Sequence, residues 1–183
     1  DRYRNLDLSE LDTYFAMARG YQGEKGDVKA FAMKKWFNTN YHYMVPEMDD
    51  HTEIKLSGSK PFALFTEALE NGIKTKPVLI GPYTFLKFAK YTGEKTASDF
   101  VFPIITAYSE ILKQLSGLGA ECVQLDEPCL VLDMTAGDKA LFIQLYEKIL
   151  AEKHGIKVLL QTYFGDVRDC YSELCTLDFD GIG

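Results

Sequence analysis

Short apolar segments alternate along this chain with segments of helical periodicity, and this alternation limits the possible folds more than any other feature. The predicted strands are residues 76–82, 121–125 and 157–161, and a further strand begins at 179. They are nearly continuous apolar runs, which is typical of parallel strands buried on both faces. The sequence therefore predicts an α/β fold of parallel βα units. The predicted helices are residues 7–19, 61–71, 83–90, 98–118, 138–153 and 167–174.

Polar clusters recur at the C-terminal ends of the predicted strands. They are residues 38–42, 81–84, 124–128 and 161–163, and the first of them follows a further predicted strand at 32–37. In a parallel βα array these ends lie on one face, which is the face that binds ligands. We therefore expect the clusters to converge.

The segment 34–47 combines the only tryptophan of the chain with two lysines, two asparagines and Tyr-His-Tyr. It fits no helical period, and Pro46 favours extended geometry at Val45. We interpret it as the strand 32–37 opening into a long ordered loop. A binding loop and an exposed edge strand carrying lysines for solubility are both open on the local pattern.

The N-terminal helix, 7–19, has Asp7 as its expected N-cap. Three glycines between residues 20 and 26 then indicate a mobile loop with turns. A phosphate-binding loop is not predicted there, because no Gly-Lys-Ser/Thr follows. The apolar face expected for the helix consists of Leu8, Leu11, Phe15 and Ala18.

The number of strands is small for a closed barrel. The chain of 183 residues shows four or five strands, whereas an eight-stranded (β/α)8 barrel takes about 250 residues. The chain is either a complete open sheet or a fragment, and its end inside a predicted strand favours the fragment. One domain, 1–183, is the natural count for this length.

Charge and composition exclude several classes of protein. The net charge of -7 and a pI near 5.0 argue against a general nucleic-acid or membrane-surface binder. No apolar run approaches the length of a membrane span, and residues 1–5 lack the apolar core of a signal peptide. We therefore expect a cytoplasmic protein.

The cysteines predict neither a metal site nor disulfides. None of the four forms a Cys-x-x-Cys pair or stands at zinc-finger spacing from a histidine. Free thiols in a reducing compartment fit this pattern best. The four are Cys122, Cys129, Cys170 and Cys175.

Four stretches, in order along the chain, resemble the cobalamin-independent methionine synthase family. That family transfers the methyl group of 5-methyltetrahydrofolate polyglutamate to homocysteine, using zinc and no cobalamin. The stretches are 35–47 (KWFNTNYHYMVPE), 76–82 (KPVLIGP), 124–132 (QLDEPCLVL) and 161–164 (QTYF).

The resemblance implies that the chain is an incomplete N-terminal barrel of the (β/α)8 TIM-barrel type. The family has two such barrels in one polypeptide. Its zinc ligands and homocysteine site belong to the C-terminal barrel, so this chain alone is expected to carry no catalytic residue, no metal site and no activity.

The resemblance also assigns Lys35 to substrate binding, because the lysine before Trp-Phe contacts the folate polyglutamate tail in the family. The local charge supports this independently. From Arg19 to Lys35 there are five cations and two acids, a balance of +3 in a chain of net charge -7. Ammonium groups on a loop can hold a flexible string of carboxylates. Lys34, Asn38, Asn40 and His42 are possible supporting residues on the same rim.

Asp126 and Glu127 form an adjacent carboxylate pair at a strand end. We expect them to cap backbone amides and fix the loop before Pro128, as further rim residues. His42 is expected to anchor its loop by a hydrogen bond. An alternative function is a self-sufficient barrel hydrolase, such as a glycosidase that uses Glu47 and Glu127 as its carboxylate pair.

Overall fold

The structure is a computed structural model that describes residues 3–183. Asp1 and Arg2, with which the predicted domain 1–183 begins, lie outside the described residues. Six α-helices are present in the described part: α1 (Glu10–Arg19), α2 (Lys60–Glu70), α3 (Pro82–Phe88), α4 (Val101–Gly117), α5 (Ala136–Ala151) and α6 (Tyr171–Leu174). Within residues 3–183, no helix is both long enough and apolar enough to cross a membrane.

Ten short strands accompany these helices in the described residues. They are β1 (Tyr21–Gly23), β2 (Gly26–Val28), β3 (Met33–Lys35), β4 (His42–Met44), β5 (Glu47–Met48), β6 (Val78–Ile80), β7 (Lys90–Tyr91), β8 (Cys122–Asp126), β9 (Lys157–Gln161) and β10 (Gly181–Ile182).

A four-stranded parallel sheet forms the centre of the fold. Its order is β10-β9-β8-β6, and every neighbouring pair is parallel. Helices α3 and α4 lie between β6 and β8 in the chain, and α5 lies between β8 and β9. The predicted parallel βα arrangement is confirmed. Four strands form an open sheet, which is compatible with an incomplete barrel.

One face of the sheet carries the hydrophobic core. Val123 and Leu125 of β8 alternate with half-buried residues, as do Val158 and Leu160 of β9, and all four are fully buried. This alternation follows from the period of two along a strand. The core side chains from α4 and α5 that share the cluster include Leu112, Leu115, Phe142, Leu145 and Ile149.

The expectation that every strand is buried on both faces is wrong for β6. Val78 is 52% exposed, and Ile80 is also exposed. Among the described strands, β6 pairs only with β8, so it lies at the edge of the sheet. An edge strand has neighbours on one side only, which leaves its side chains more open to solvent than those of β8 and β9.

The first predicted strand, 32–37, does not belong to the parallel sheet. It contributes β3, which pairs antiparallel with β4, so that Lys35 lies opposite His42. Thr39 closes the turn, since its hydroxyl donates to the Trp36 carbonyl (2.6 Å) and accepts from the Tyr41 amide (3.1 Å). The segment therefore forms a hairpin, and His42 lies in a strand instead of a loop.

The N-terminal region also differs from its prediction. Ser9 caps α1 by accepting from the Asp12 amide (3.1 Å). The helix begins at Glu10, so the predicted N-cap Asp7 lies two residues before the cap position. Gly23 and Gly26 lie in the antiparallel hairpin β1–β2, and Gly20 follows the last residue of α1, so the segment is a hairpin instead of an irregular loop.

The predicted apolar face of α1 does not point into the core. Phe15 is 44% exposed and Leu11 is exposed as well. Ala16 is the buried residue of α1, and it packs with Tyr3 and Leu6 in a small second cluster.

Candidate functional site

The hairpin β3–β4 lies against the segments that follow the parallel strands, and aromatic rings hold it there. Phe88, at the end of α3, stacks on Tyr43 with centroids 5.0 Å apart and meets Trp36 edge-on at 5.6 Å. Phe37 stacks on Phe164, which follows β9, at 4.8 Å. Such pairs stabilise beyond the area that they bury. The aromatic packing therefore fixes the hairpin relative to the strand ends.

A hydrogen bond links the segment after β9 to the end of β8. The Tyr163 hydroxyl donates to Asp126 Oδ2 (3.3 Å). Asp126 Oδ1 accepts from Gln124 Nε2 (2.7 Å). Burial raises the pKa of Tyr163 to about 12, so the hydroxyl stays protonated and can donate at neutral pH. Asp126 thus orders the rim of the sheet.

Glu127 is fully buried and connects β8, α3 and α5. Its Oε1 accepts from the Tyr83 amide (2.9 Å) and the Tyr146 hydroxyl (2.6 Å). Its Oε2 accepts from the Thr84 amide (2.7 Å) and the Thr84 hydroxyl (2.6 Å). Glu127 therefore caps two backbone amides at the start of α3, as predicted, but from inside the protein and not from an exposed rim.

Burial dominates the ionisation of Glu127. It raises the pKa of the carboxyl to about 7, while the donated hydrogen bonds from Thr84, Tyr146 and the backbone act in the opposite direction. A glycosidase acid must reach the glycosidic oxygen of its substrate. Glu127 has 0% exposure and four donors on its two oxygens. This geometry does not favour the alternative in which Glu47 and Glu127 hydrolyse a sugar.

A cavity of about 430 Å³ opens between the hairpin and the segment from α3 to β7. Lys34 and Lys35 line it from the hairpin, and Lys87 and Lys90 line it from the opposite segment. The aromatic ring of Phe88 contributes an apolar surface between these two walls. We call this space the lysine cavity. Its size falls within the usual range for small-ligand sites.

The lysine cavity is strongly cationic. Within the described part of the chain, no Asp or Glu lines it. Lys87 forms an ion pair with Asp138 (2.6 Å). Lys34, Lys35 and Lys90 are exposed, and no ion pair is recorded for them within residues 3–183. Three uncompensated ammonium groups around one cavity attract anions in a protein whose net charge is -7.

The other residues of the predicted rim lie near the hairpin turn. Asn38 and Asn40 are exposed within the turn between β3 and β4. His42 Nδ1 lies 3.1 Å from the Asn40 carbonyl, consistent with a local anchoring role. Sequence reasoning missed Lys87, which lies in the last turn of α3, and Lys90, which begins β7, because no local pattern places them beside the hairpin.

The four cysteines are free thiols. Burial raises the pKa of Cys129 to about 12, so its thiol is inert at neutral pH. Among residues 3–183, no three His, Cys, Asp or Glu side chains come together as ligands for a metal ion. The residues described here therefore do not fit a zinc site.

Comparison with known proteins decides the family. The family model described as "Cobalamin-independent synthase, N-terminal domain" matches residues 1–183, the whole chain. The chain belongs to this family. The resemblance in the four stretches is thereby confirmed, and it extends over the full length of the sequence.

Curated relatives carry the name 5-methyltetrahydropteroyltriglutamate--homocysteine methyltransferase. The chain is 57% identical over 180 residues to the protein of Streptococcus pneumoniae serotype 19F. It is 56% identical to that of Streptococcus thermophilus and 54% identical to that of Streptococcus sanguinis. Each match covers 98% of this chain and 24% of the relative, so the chain spans about a quarter of their length.

Proposed function

We propose that this chain is part of the N-terminal barrel domain of a longer methyltransferase that converts homocysteine to methionine. The methyl donor is a 5-methyltetrahydrofolate with several glutamates, and this domain holds the glutamate tail of that donor. The names of the relatives, which specify a pteroyltriglutamate and homocysteine, support these substrates. Homocysteine and zinc would bind in the C-terminal barrel of the same protein, and no cobalamin would take part.

The observation that carries this proposal is the lysine cavity. A γ-linked glutamate tail is a flexible chain with one carboxylate per residue and one more at its end. Lys35 offers it an exposed ammonium, for which residues 3–183 supply no ion-pair partner, at the edge of an apolar surface formed by Phe88 and Tyr43. Lys34, Asn38 and Asn40 lie on the same hairpin, where they support the site. A point charge on a flexible stem suits a ligand whose carboxylates are not held in one geometry.

No chemical step falls to residues of this chain. Asp126 and Glu127 position the loops that line the cavity, and neither side chain takes part in the reaction. Glu127 fixes the start of α3 by its two amide contacts, and α3 delivers Lys87 and Phe88 to the cavity wall. Asp126 accepts from the Tyr163 hydroxyl, in the segment that follows β9.

The test is the substitution Lys35→Ala in the full-length protein, with the initial rate measured against triglutamyl and monoglutamyl methyltetrahydrofolate. We expect KM for the triglutamyl substrate to rise by about two- to fivefold, the effect of one exposed ion pair. The KM for the monoglutamyl substrate should change less, and kcat should not change, because the contact is equally present in the ground state and the transition state.

Lys113→Ala is the matched control, because Lys113 is an exposed lysine on α4 that does not line the cavity. It removes the same charge and should leave both KM values unchanged. Equal increases in KM for the two substrates in the Lys35→Ala protein would contradict the assignment of the tail to Lys35.

A further inference from the structure

The lysine cavity has two walls that come from separate parts of the chain. Lys34 and Lys35 belong to the hairpin β3–β4, whereas Lys87 and Lys90 belong to the end of α3 and the start of β7. A ligand with a single carboxylate can meet one wall. A ligand with several carboxylates along a flexible chain can contact both walls at once.

The two walls are held at a fixed separation. The Lys90 amide donates to the Pro46 carbonyl (2.8 Å), just after the hairpin, and β5 pairs with β7 so that Glu47 lies opposite Lys90. The stack of Tyr43 on Phe88 joins the walls a second time. These contacts lie within the protein itself, so bridging the walls requires little ordering of the chain.

The two lysines of the second wall are not equivalent. Lys87 Nζ lies 2.6 Å from Asp138 Oδ1, and the two side chains are 34% and 14% exposed. Its charge is therefore largely compensated. Lys90 is exposed, and no ion pair is recorded for it within residues 3–183. Among the described residues that line the second wall, Lys90 is thus the lysine without an ion pair, and it lines the same cavity as Lys34 and Lys35.

We propose that Lys90 determines how strongly the site prefers tails with several glutamates over a single glutamate. This inference rests on the proposed function and adds a second anchoring point to it. Lys35 takes one carboxylate, and Lys90 takes a carboxylate further along the same tail. Once the first carboxylate is bound, the second encounter is intramolecular, so affinity increases with tail length only while both lysines are present.

The experiment measures the affinity of the full-length protein for folate-free oligo-γ-glutamates of one and three residues by isothermal titration calorimetry. In the unmodified protein, the tripeptide should bind more tightly than glutamate. Lys90→Gln should weaken binding of the tripeptide by about two- to fivefold, the range for one exposed ion pair, and should change the affinity for glutamate much less.

Two further variants separate charge from structure. Lys90→Arg keeps the positive charge and should retain most of the preference for the tripeptide. Lys113→Gln removes one charge away from the cavity and should leave both affinities unchanged. The thermal midpoint of each variant verifies that the fold is intact, which the exposure of Lys90 leads us to expect.

The outcomes distinguish this inference from the function on which it rests. If Lys35→Ala weakens tripeptide binding and Lys90→Gln behaves like Lys113→Gln, the role of Lys90 is overturned and the tail site at Lys35 stands. An equal loss for glutamate and the tripeptide in Lys90→Gln overturns the dependence on tail length. If neither Lys35→Ala nor Lys90→Gln has an effect, both proposals are overturned.

Discussion

Replacing Glu127 by Gln tests how a fully buried carboxyl group supports the wall of the cavity. Each oxygen of Glu127 accepts one backbone N–H, from Tyr83 and from Thr84, and neither amide can reorient. A glutamine side chain has one oxygen and one NH₂ group. Whichever way the amide is turned, its NH₂ meets one of these two N–H groups, so one buried donor loses its acceptor.

The expected cost depends on pH, and its sign follows from the pKa of Glu127. An unsatisfied buried N–H costs about 1–3 kcal/mol. Burial raises the pKa of Glu127 in the folded protein from 4.5 to about 7. Its contribution to the unfolding free energy is therefore complete below pH 4.5 and is lost as the pH rises through 7, a change of about 3 kcal/mol. Glutamine does not titrate and shows no such loss.

Urea denaturation of the two proteins at pH 5 and pH 8 measures this directly. At pH 5 we expect Glu127→Gln to be less stable than the unmodified protein. At pH 8 the difference in unfolding free energy should have closed or changed sign, because the charged carboxylate then carries its desolvation cost. Carboxylates elsewhere in the chain cancel in the comparison. A difference that stays constant or widens between pH 5 and pH 8 would refute the reasoning.

Two glycine substitutions form a matched pair. Gly81→Ala places a Cβ inside the carboxyl group of Glu127, while the Gly81 amide is held by the Asp126 carbonyl (2.7 Å), so thermal denaturation should show a loss of about 1–3 kcal/mol or more. Gly117→Ala, at the end of α4, meets no heavy atom within 4 Å and should stabilise the same protein by about 0.5–1 kcal/mol. Equal effects of the two changes would contradict the close packing of Glu127 against the β6–α3 turn.

The parallel core could be predicted because its signals are local. The strand predicted at 157–161 coincides with β9, and the helix predicted at 61–71 ends within one residue of α2. Apolar runs that mark strands, prolines at helix starts and glycines after helix ends all lie within or next to the segment that they define, so the sequence pattern alone reveals them. The polar ends of β8 and β9 could be found in the same way, since they immediately follow apolar runs.

Pairing partners and long-range contacts could not be predicted from these patterns. The segment 32–37 has the composition of a strand, but its partner β4 and the antiparallel direction of the pairing lie beyond the turn at Thr39 and are not encoded in the segment itself. Glu127 meets Tyr83 and Thr84 more than 40 residues away, so its burial is not visible locally. The position of Lys90 beside the hairpin is likewise not visible locally, because it depends on the hydrogen bond from the Lys90 amide to the carbonyl of Pro46, 44 residues earlier in the chain.

The most direct test of the lysine cavity as the tail site is a crystal structure of the full-length protein with triglutamyl methyltetrahydrofolate. The account predicts that the tail enters the space between the hairpin and the α3–β7 segment. At least one of its carboxylates should then lie about 3 Å from the Lys35 ammonium. A tail bound elsewhere, with Lys35 still facing solvent, would contradict the account.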